Sequence, residues 1–318
     1  MIRLFAAAAL AAFAGLAAAQ PFPSRPVTLV VPFPPGGSTD TAARLIGEAM
    51  RPSLGQPVVT ENVGGANGSI ALARVARSAP DGYTIDIGQW DTHVGAIIYP
   101  ISFDLEKDFA PIGLMSINPQ LLIARKNFPA DDLKGLVAWM KANPGSATLV
   151  EQTSAAKLGG LLLQKATGSE IRFIPFRGAA PGMQALLGDQ VDLLIAQAAV
   201  IMPHVRAGAV KLFANLSPAR SPSLPNVPTA DEAGVRGLYL SGWFGLFAPR
   251  GTPKEVVAKL NSSMAQALLD PKVRERFAEL GLDIAGKEQQ SPEGFAAFLK
   301  ADMDKWWPII KAANIKVE

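Results

Sequence analysis

Short runs of β-branched and apolar residues alternate with helical patterns from Val27 to Asn215, and this alternation constrains the fold more than any other feature. Strands that alternate with crossover helices are typical of a mostly parallel sheet covered by helices. The first helical pattern carries Ala42, Ile46 and Met50 on one face, so it is expected to pack on such a sheet. The predicted strands lie near Val27–Val31, Val58–Thr60, Thr84–Ile87, Ile171–Ile174, Val191–Ala196 and Lys211–Ala214.

The later part of the chain differs, because Pro253 to Lys316 contains only helical patterns. Two apolar stretches bounded by proline or glycine, Ile112–Ala124 and Tyr239–Ala248, are expected crossing points between domains. A chain of 318 residues is long enough for two domains that each bury a core. We predict that domain 1 contains residues 20–122 and 243–318 and domain 2 residues 123–242, with the ligand cleft between them.

The N-terminal residues predict export. An apolar run from Leu4 to Ala19 follows Arg3 and ends in three alanines, which is typical of a signal peptide, residues 1–19, cleaved after Ala19. The run is shorter than a membrane-spanning helix needs. The chain contains no cysteine, which excludes disulfides and a lipid-modified cysteine. We therefore expect a soluble, periplasmic mature protein.

The stretch from Val31 to Asp40 is the most informative motif, because it follows a predicted strand, precedes the amphipathic helix and reads Val-Pro-Phe-Pro-Pro-Gly-Gly-Ser-Thr-Asp. Its glycines allow close backbone approach, and Ser38 or Thr39 can begin the helix. A helix N-terminus presents N–H donors without partners and a partial positive charge, so it suits a carboxylate. The pattern equally fits an ordinary strand-to-helix turn with a proline-rich bend.

Further polar and glycine-rich segments follow other predicted strands. The loop Asn62–Ser69 opens another helical pattern, and its glycine spacing differs from the dinucleotide fingerprint. Ligands in open parallel sheets bind at the carboxyl ends of strands, where these loops are expected to converge. Trp90 is predicted either as a pocket wall or as an interdomain packing residue. Arg177 is predicted to pair either with a ligand anion or with Asp192.

Other chemistries find little support in the sequence. Gly281–Lys287 resembles a phosphate-binding loop, but Glu288 stands where a serine or threonine is needed and no predicted strand precedes it. His93 and His204 belong to no metal-binding pattern. The formal net charge is +3 and the basic residues are dispersed, which argues against nucleic acid. We expect no enzyme activity, no metal and no cofactor.

Ordered blocks extend over nearly the whole predicted mature chain: Pro23–Val27, Val31–Asp40, Ala79–Thr84, Lys107–Ile112, Ile174–Pro181, Leu187–Asp192 and Gly242–Pro253. In these blocks the chain resembles the solute-binding proteins of tripartite tricarboxylate transporters, also called the Bug or TctC-like family. The resemblance implies an α/β, two-domain periplasmic-binding-protein (Venus-flytrap) fold with mostly parallel sheets and a helical C-terminal tail. It also implies closure over a small carboxylate: a di- or tricarboxylate, an aromatic carboxylate or an acidic amino acid.

The resemblance implies that backbone and hydroxyl groups of the two glycine-rich loops hold the ligand carboxylate, together with residues of the second domain. Trp90 and Thr92 are added because they follow a predicted strand. The predicted ligand-binding residues are Pro35, Gly36, Gly37, Ser38, Thr39, Asp40, Ala66, Asn67, Gly68, Trp90, Thr92, Ser154, Phe176, Arg177, Gly178 and Asp192.

The chain departs from the family pattern in two loops. Val63–Gly64 stands where Arg-Pro is usual, and Asn67 replaces a glycine. In the loop Glu151–Ser154 only the serine is kept, so we expect the far end of the pocket to be smaller or more polar than usual. Lys157 replaces a histidine, and is predicted either to counter Glu151 or to meet a second ligand carboxylate.

The predicted function is capture of a small carboxylate by a monomeric, non-enzymatic protein that delivers it to the membrane permease subunits of a tripartite transporter. The alternative is a ligand-presenting protein for a membrane signalling system, whose partner is a sensor kinase. The sequence does not discriminate between these two membrane partners.

Overall fold

The computed structural model describes residues 21–312, so the predicted signal peptide lies outside the described residues. The strands are β1 (Val27–Val31), β2 (Val58–Asn62), β3 (Thr84–Gln89), β4 (Phe109–Arg125), β5 (Thr148–Glu151), β6 (Arg172–Pro175), β7 (Leu193–Gln197), β8 (Val210–Asn215), β9 (Ser241–Pro249) and β10 (Asp283–Ile284). The helices are α1 (Ser38–Leu54), α2 (Ser69–Ala76), the single turn α3 (Trp90–His93), α4 (Leu133–Ala142), α5 (Ser154–Thr167), α6 (Ala179–Leu187), α7 (Ala198–Arg206), α8 (Lys254–Ala267), α9 (Pro271–Glu279) and α10 (Pro292–Ala312).

Two sheet regions share the long strand β4. In the first sheet, residues 109–119 of β4 pair antiparallel with β9, β9 pairs antiparallel with β3, and β3, β1 and β2 are parallel. In the second sheet, residues 120–125 of β4 pair antiparallel with β7 and β8, and β7, β5 and β6 are parallel. The parallel pairing predicted from the strand-helix alternation is present in both sheets. The antiparallel pairing arises in β4 and β9, the two stretches that we predicted only as crossings between domains.

Helix α1 covers the first sheet as its sequence pattern predicts, because Ala42, Ile46 and Met50 are all fully buried. They pack with β1, β3, β9 and the C-terminal helices α8 and α9. On the second sheet, α6 and α7 pack against β4 and β7. Each sheet therefore has its own helix-covered core, and a further cluster that includes α2, α4, α5 and α10 covers the other faces.

The C-terminal tail returns to the first sheet. Helix α10 packs against β4 and β9, with Trp306 buried and Asp302 accepting a hydrogen bond from Trp243 Nε1 at 2.9 Å. The tail is not purely helical as predicted, since the two-residue strand β10 pairs antiparallel with residues 116–117 of β4. The domain boundaries at 122/123 and 242/243 stay a prediction.

No described helix, between residues 21 and 312, combines the length and the apolar character that crossing a membrane requires.

We predict that Gly88→Ala in β3 lowers the free energy of unfolding by about 2 kcal/mol, because overpacking a filled core forces its neighbours apart. An added Cβ would overlap the ring of Phe247 and lie 2.6 Å from the ring of His93, and these two rings are stacked on each other. The matched control is Gly286→Ala, an exposed position with only Gln289 within contact distance, at 3.6 Å. Its effect should stay below about 0.5 kcal/mol. Urea unfolding measures both, and equal effects would contradict the packing argument.

Candidate ligand-binding site

A cavity of about 640 Å³, part of it open to solvent, lies between the two sheets where β1, β3, β5 and β7 end. The lining residues are Phe33, Pro34, Pro35, Gly37, Ser38, Thr39, Gln89, Asp91, Gln120, Gln152, Thr153, Arg177, Gly178, Ala179, Ala180, Pro181, Ala196, Gln197 and Val200.

Four helices begin at this cavity. The N-cap residues of α1, α5, α6 and α7 are Gly37, Thr153, Gly178 and Gln197, and all four line the cavity. Each helix N-terminus carries N–H groups without an acceptor inside the helix and a partial positive charge. At α1, α6 and α7 no side chain caps these groups. The arrangement favours an anion without requiring a cluster of basic residues.

Asp40 holds the first loop in shape rather than lining the cavity. Its carboxylate accepts hydrogen bonds from the Gly36 N–H at 3.0 Å, Arg44 Nε at 3.1 Å and Asn62 Nδ2 at 3.0 Å. Burial acts to raise the pKa of Asp40, but these hydrogen bonds outweigh it and keep the pKa below its ordinary value. Asp40 is therefore an ionised carboxylate that fixes the turn at Gly36, whose φ is +87°.

The second glycine-rich loop lies beside the cavity and links the two halves of the molecule. A Cβ at Gly68 would lie 2.7 Å from Thr92 Cγ2 and 3.0 Å from Pro32 Cβ, and its φ of +88° also favours glycine. Asn67 Nδ2 donates to Ser154 Oγ at 2.8 Å, at the start of α5. The predicted residues Ala66, Asn67, Gly68 and Ser154 are thus brought together, although they do not line the cavity.

Glutamine side chains connect the two sheets across the cavity. Gln197 Nε2 donates to Gln89 Oε1 at 3.1 Å, and Thr39 Oγ1 donates to the same oxygen at 3.2 Å. The Ser38 hydroxyl donates to Gln197 Oε1. We did not predict Gln89, Gln197 or the lining residue Gln120 from the sequence. The available signal was that Gln89 and Gln197 end their strands immediately before a helix.

Asp91 and Arg177 are the two residues with ionisable side chains among the described residues that line the cavity. Asp91 is 2% exposed and accepts the N–H of Ala155 at 2.7 Å. Burial raises the pKa of Asp91 from 3.8 to about 6, although hydrogen bonds from Ala155 and Thr153 oppose the shift. The cavity therefore contains a carboxyl group that can exchange a proton near neutral pH.

The structure places Trp90 and Thr92 outside the cavity lining. Trp90 is fully buried in edge contact with Trp306, at 5.5 Å between ring centroids, which corresponds to the packing alternative. Thr92 donates to the Gln89 carbonyl at 3.1 Å and contacts His93 Nδ1 at 3.0 Å. His93 stacks on Phe247, and burial lowers its pKa to about 3, so it is a neutral core histidine.

Asp192 also lies outside the cavity lining. Its carboxylate accepts hydrogen bonds from Arg125 Nε at 2.8 Å and from the Thr148 N–H and hydroxyl at 3.0 and 2.8 Å. Asp192 is thus occupied by Arg125, whereas Arg177 lines the cavity. Phe176 packs partly buried against the core of the second sheet.

Lys157 pairs with Glu151 at 2.6 Å, which matches one of its two predicted roles. The neighbouring Gln152 and Thr153 both line the cavity, where the sequence predicted a polar far end. Of the predicted ligand-binding residues, those that line the cavity are Pro35, Gly37, Ser38, Thr39, Arg177 and Gly178.

Known proteins are similar to this chain in sequence. Residues 42–315 match the family described as tripartite tricarboxylate transporter family receptor. The protein BugT of Bordetella pertussis is 34% identical over 315 residues, which cover 96% of each chain. A protein of Agrobacterium vitis from the ttuE-ttuC' intergenic region is 36% identical over 296 residues, which cover 92% of this chain and 86% of that one.

Solved structures share the fold. MatC of Rhodopseudomonas palustris, with bound malate, is 39% identical and has a TM-score of 0.85, covering 91% of this chain and 100% of that one. A second R. palustris protein, with adipate, is 33% identical with a TM-score of 0.87, covering 93% of this chain and 99% of that one. The periplasmic binding protein BugD is 39% identical with a TM-score of 0.86, covering 93% and 100%. The predicted two-domain periplasmic-binding-protein fold is confirmed.

We predict that Asp192→Asn lowers the free energy of unfolding by about 2 kcal/mol and leaves ligand affinity unchanged. The substitution removes the charge from a hydrogen-bonded pair that lies outside the cavity. The matched control is Asp189→Asn, because Asp189 is more exposed and lies 3.5 Å from the same Arg125. That variant should lose less than about 1 kcal/mol. Urea unfolding and calorimetric titration measure the two quantities, and weaker binding by a folded Asp192→Asn would contradict this assignment.

We predict that Asp91 makes the ligand-free protein less stable as the pH rises. Its pKa is higher in the folded protein, so the stabilisation is complete below about pH 4 and is lost as the pH rises through about 6. Asp91→Asn removes this dependence. The difference between the unfolding midpoints of the wild type and the variant should therefore change by roughly 5 °C between pH 4 and 7. Curves that stay parallel over this range would contradict the raised pKa.

Proposed function

Because the chain belongs to the tripartite tricarboxylate transporter receptor family, we propose that it is a periplasmic solute-binding protein that captures a small carboxylate. The observation that carries this proposal is the convergence of four helix N-termini on one cavity. A carboxylate supplies the acceptor oxygens that the N–H groups at the uncapped N-termini of α1, α6 and α7 need. The family membership supports the membrane subunits of a tripartite transporter as the partner that receives the solute.

The relatives support a carboxylate as the ligand. MatC was solved with malate and a second relative with adipate, and both are small dicarboxylates. In this chain the carboxylate accepts hydrogen bonds from backbone N–H groups at the start of α1 and α6, with Arg177 as the nearby cation. Pro35 and its neighbours Phe33 and Pro34 supply apolar surface for the carbon skeleton.

Binding, rather than turnover, fits the side chains of the cavity. Its described lining contains no histidine, lysine or cysteine, and its one carboxyl group, Asp91, is hydrogen-bonded to Ala155 and Thr153 rather than to the Ser38 hydroxyl. The hydroxyl of Ser38 donates to an amide oxygen of Gln197, which is no general base. The protein is therefore proposed to release its ligand chemically unchanged.

Contacts across the cavity provide a route from ligand binding to closure. Ser38 and Gln89 from the first sheet both contact Gln197 from the second, and Asn67 contacts Ser154. Separation of the two sheets breaks these hydrogen bonds. A ligand that contacts α1 and α6 together binds this arrangement better than a separated one, so it shifts the population toward closure.

We predict that a carboxylate ligand raises the unfolding midpoint by roughly 5 °C when its concentration is 100 times its dissociation constant. The panel consists of aliphatic, hydroxylated and aromatic mono-, di- and tricarboxylates and amino acids, tested by thermal unfolding of the mature protein. Ser38→Asp should abolish the shift, because the new carboxylate at the N-terminus of α1 repels the carboxylate of the ligand.

The matched control is Ser38→Asn, which has nearly the same shape and no charge. An acidic residue in the first turn of a helix favours helix stability, so loss of binding in Ser38→Asp is not expected to reflect unfolding. Equal loss in both variants would indicate shape rather than charge. If no compound of the panel shifts the midpoint of protein that has first been unfolded, dialysed and refolded, carboxylate capture is contradicted.

A further inference from the structure

The cavity has two chemically different sides. The N-termini of α1 and α6 and the guanidinium of Arg177 offer hydrogen-bond donors. Asp91 and Gln152 offer acceptors on another part of the wall, where the start of α5 meets the end of β3. A ligand that fits both sides carries an anionic group and a separate hydrogen-bond donor.

Gln152 has an oxygen that lacks a partner. Its side chain is 8% exposed, and Nε2 donates to the carbonyl of Ile195 at 2.7 Å. Because a carbonyl only accepts, this contact fixes which end of the amide is nitrogen. The opposite atom, Oε1, is buried and has no hydrogen-bond partner in the described part of the chain. A buried acceptor without a donor is costly, so this oxygen favours a ligand that donates.

Asp91 lies on the same side. Thr153, the residue after Gln152, contributes a side-chain hydrogen bond to Asp91 and also lines the cavity. One carboxyl oxygen of Asp91 accepts the N–H of Ala155, and within residues 21–312 no basic side chain forms a salt bridge with it. The N-terminus of α5 compensates this charge only in part, because burial still raises the pKa of Asp91.

The other charged groups near Asp91 do not supply the missing positive charge. Burial raises the pKa of the Tyr99 hydroxyl, and the nearby charges of Asp91 and Glu151 raise it further. Glu151 is itself paired with Lys157. Arg177 lines the cavity from the start of α6 and remains available to a ligand carboxylate.

We propose that Asp91 and Gln152 bind the protonated amino group of the ligand, so that the solute is an amino acid rather than a simple dicarboxylate. This inference rests on the proposed function, since the carboxylate of the same ligand occupies the helix N-termini. The ammonium group supplies a countercharge to Asp91 and a donor to Gln152 Oε1. A second carboxylate at this place would instead meet the like charge of Asp91.

The test compares pairs of compounds that differ only in the α-amino group. The panel contains α-amino acids and their deamino counterparts, including L-aspartate with succinate and L-phenylalanine with 3-phenylpropanoate. Calorimetric titration of the wild type should show tighter binding of the amino member in each pair that binds. Asp91→Asn should weaken binding of the amino member by roughly 30-fold and reverse or abolish the preference, because one partner of a buried charge pair is lost.

The matched control is Asp302→Asn, the same substitution at a carboxyl group outside the cavity that accepts from Trp243. It should leave the preference within each pair unchanged. A reversed preference in both variants would point to a general effect of stability and overturn the assignment to Asp91.

Proton linkage gives a second readout on the wild type alone. Since the pKa of Asp91 is about 6 without ligand, an ammonium group that favours its ionised form releases roughly half a proton at pH 6. Titrations in two buffers of different ionisation enthalpy count this proton, and affinity should rise from pH 5 to pH 7. A dicarboxylate that requires protonated Asp91 gives proton uptake and the opposite trend.

The outcomes separate this inference from the proposed function. Tighter binding of deamino carboxylates, with proton uptake and no loss in Asp91→Asn, would overturn the amino-group site and leave carboxylate capture standing. Binding of neither member of any pair would contradict carboxylate capture itself and the inference with it.

Discussion

The convergence of four helix N-termini on one cavity is the constraint on which the rest of the structure depends. Four partial positive charges that face one cavity repel each other, so this arrangement is unfavourable unless the surroundings hold it. The two parallel sheet regions provide that support, since the strand ends that precede α1, α5, α6 and α7 all open toward the same cleft. The buried carboxylate of Asp40 compensates part of the charge at α1.

The parts of the site that could be predicted are those fixed by local sequence. The first loop was recognisable because a strand, a Pro-Gly segment and an amphipathic helix follow one another within Val27–Leu54. Gln89, Gln120 and Gln197 could not be predicted in the same way. They belong to β3, β4 and β7, which only the order of the sheets brings to one cleft, and the local sequence offers no more than the position of Gln89 and Gln197 at a strand end before a helix.

The sequence also could not predict which way a side chain points after the end of a strand. Trp90 and Asp91 are adjacent in one helical turn, and the turn sends the indole toward α10 and the carboxyl group toward the cavity. The family resemblance had likewise placed Asp192 at the ligand, whereas here Arg125 and Thr148 satisfy its carboxylate.

The position of β9 has a consequence for how fast the molecule can form. In the first sheet β9 lies between β3 and β4, and residues 126–240 separate β9 from β4 along the chain. The sheet that begins at Val27 therefore stays incomplete until the chain has been made as far as Pro249. Pairing over such sequence distances slows folding, because loop-closure entropy is lost before the contacts form. Slow folding would suit the export that we predict from residues 1–19, because a polypeptide crosses a membrane before it acquires its shape.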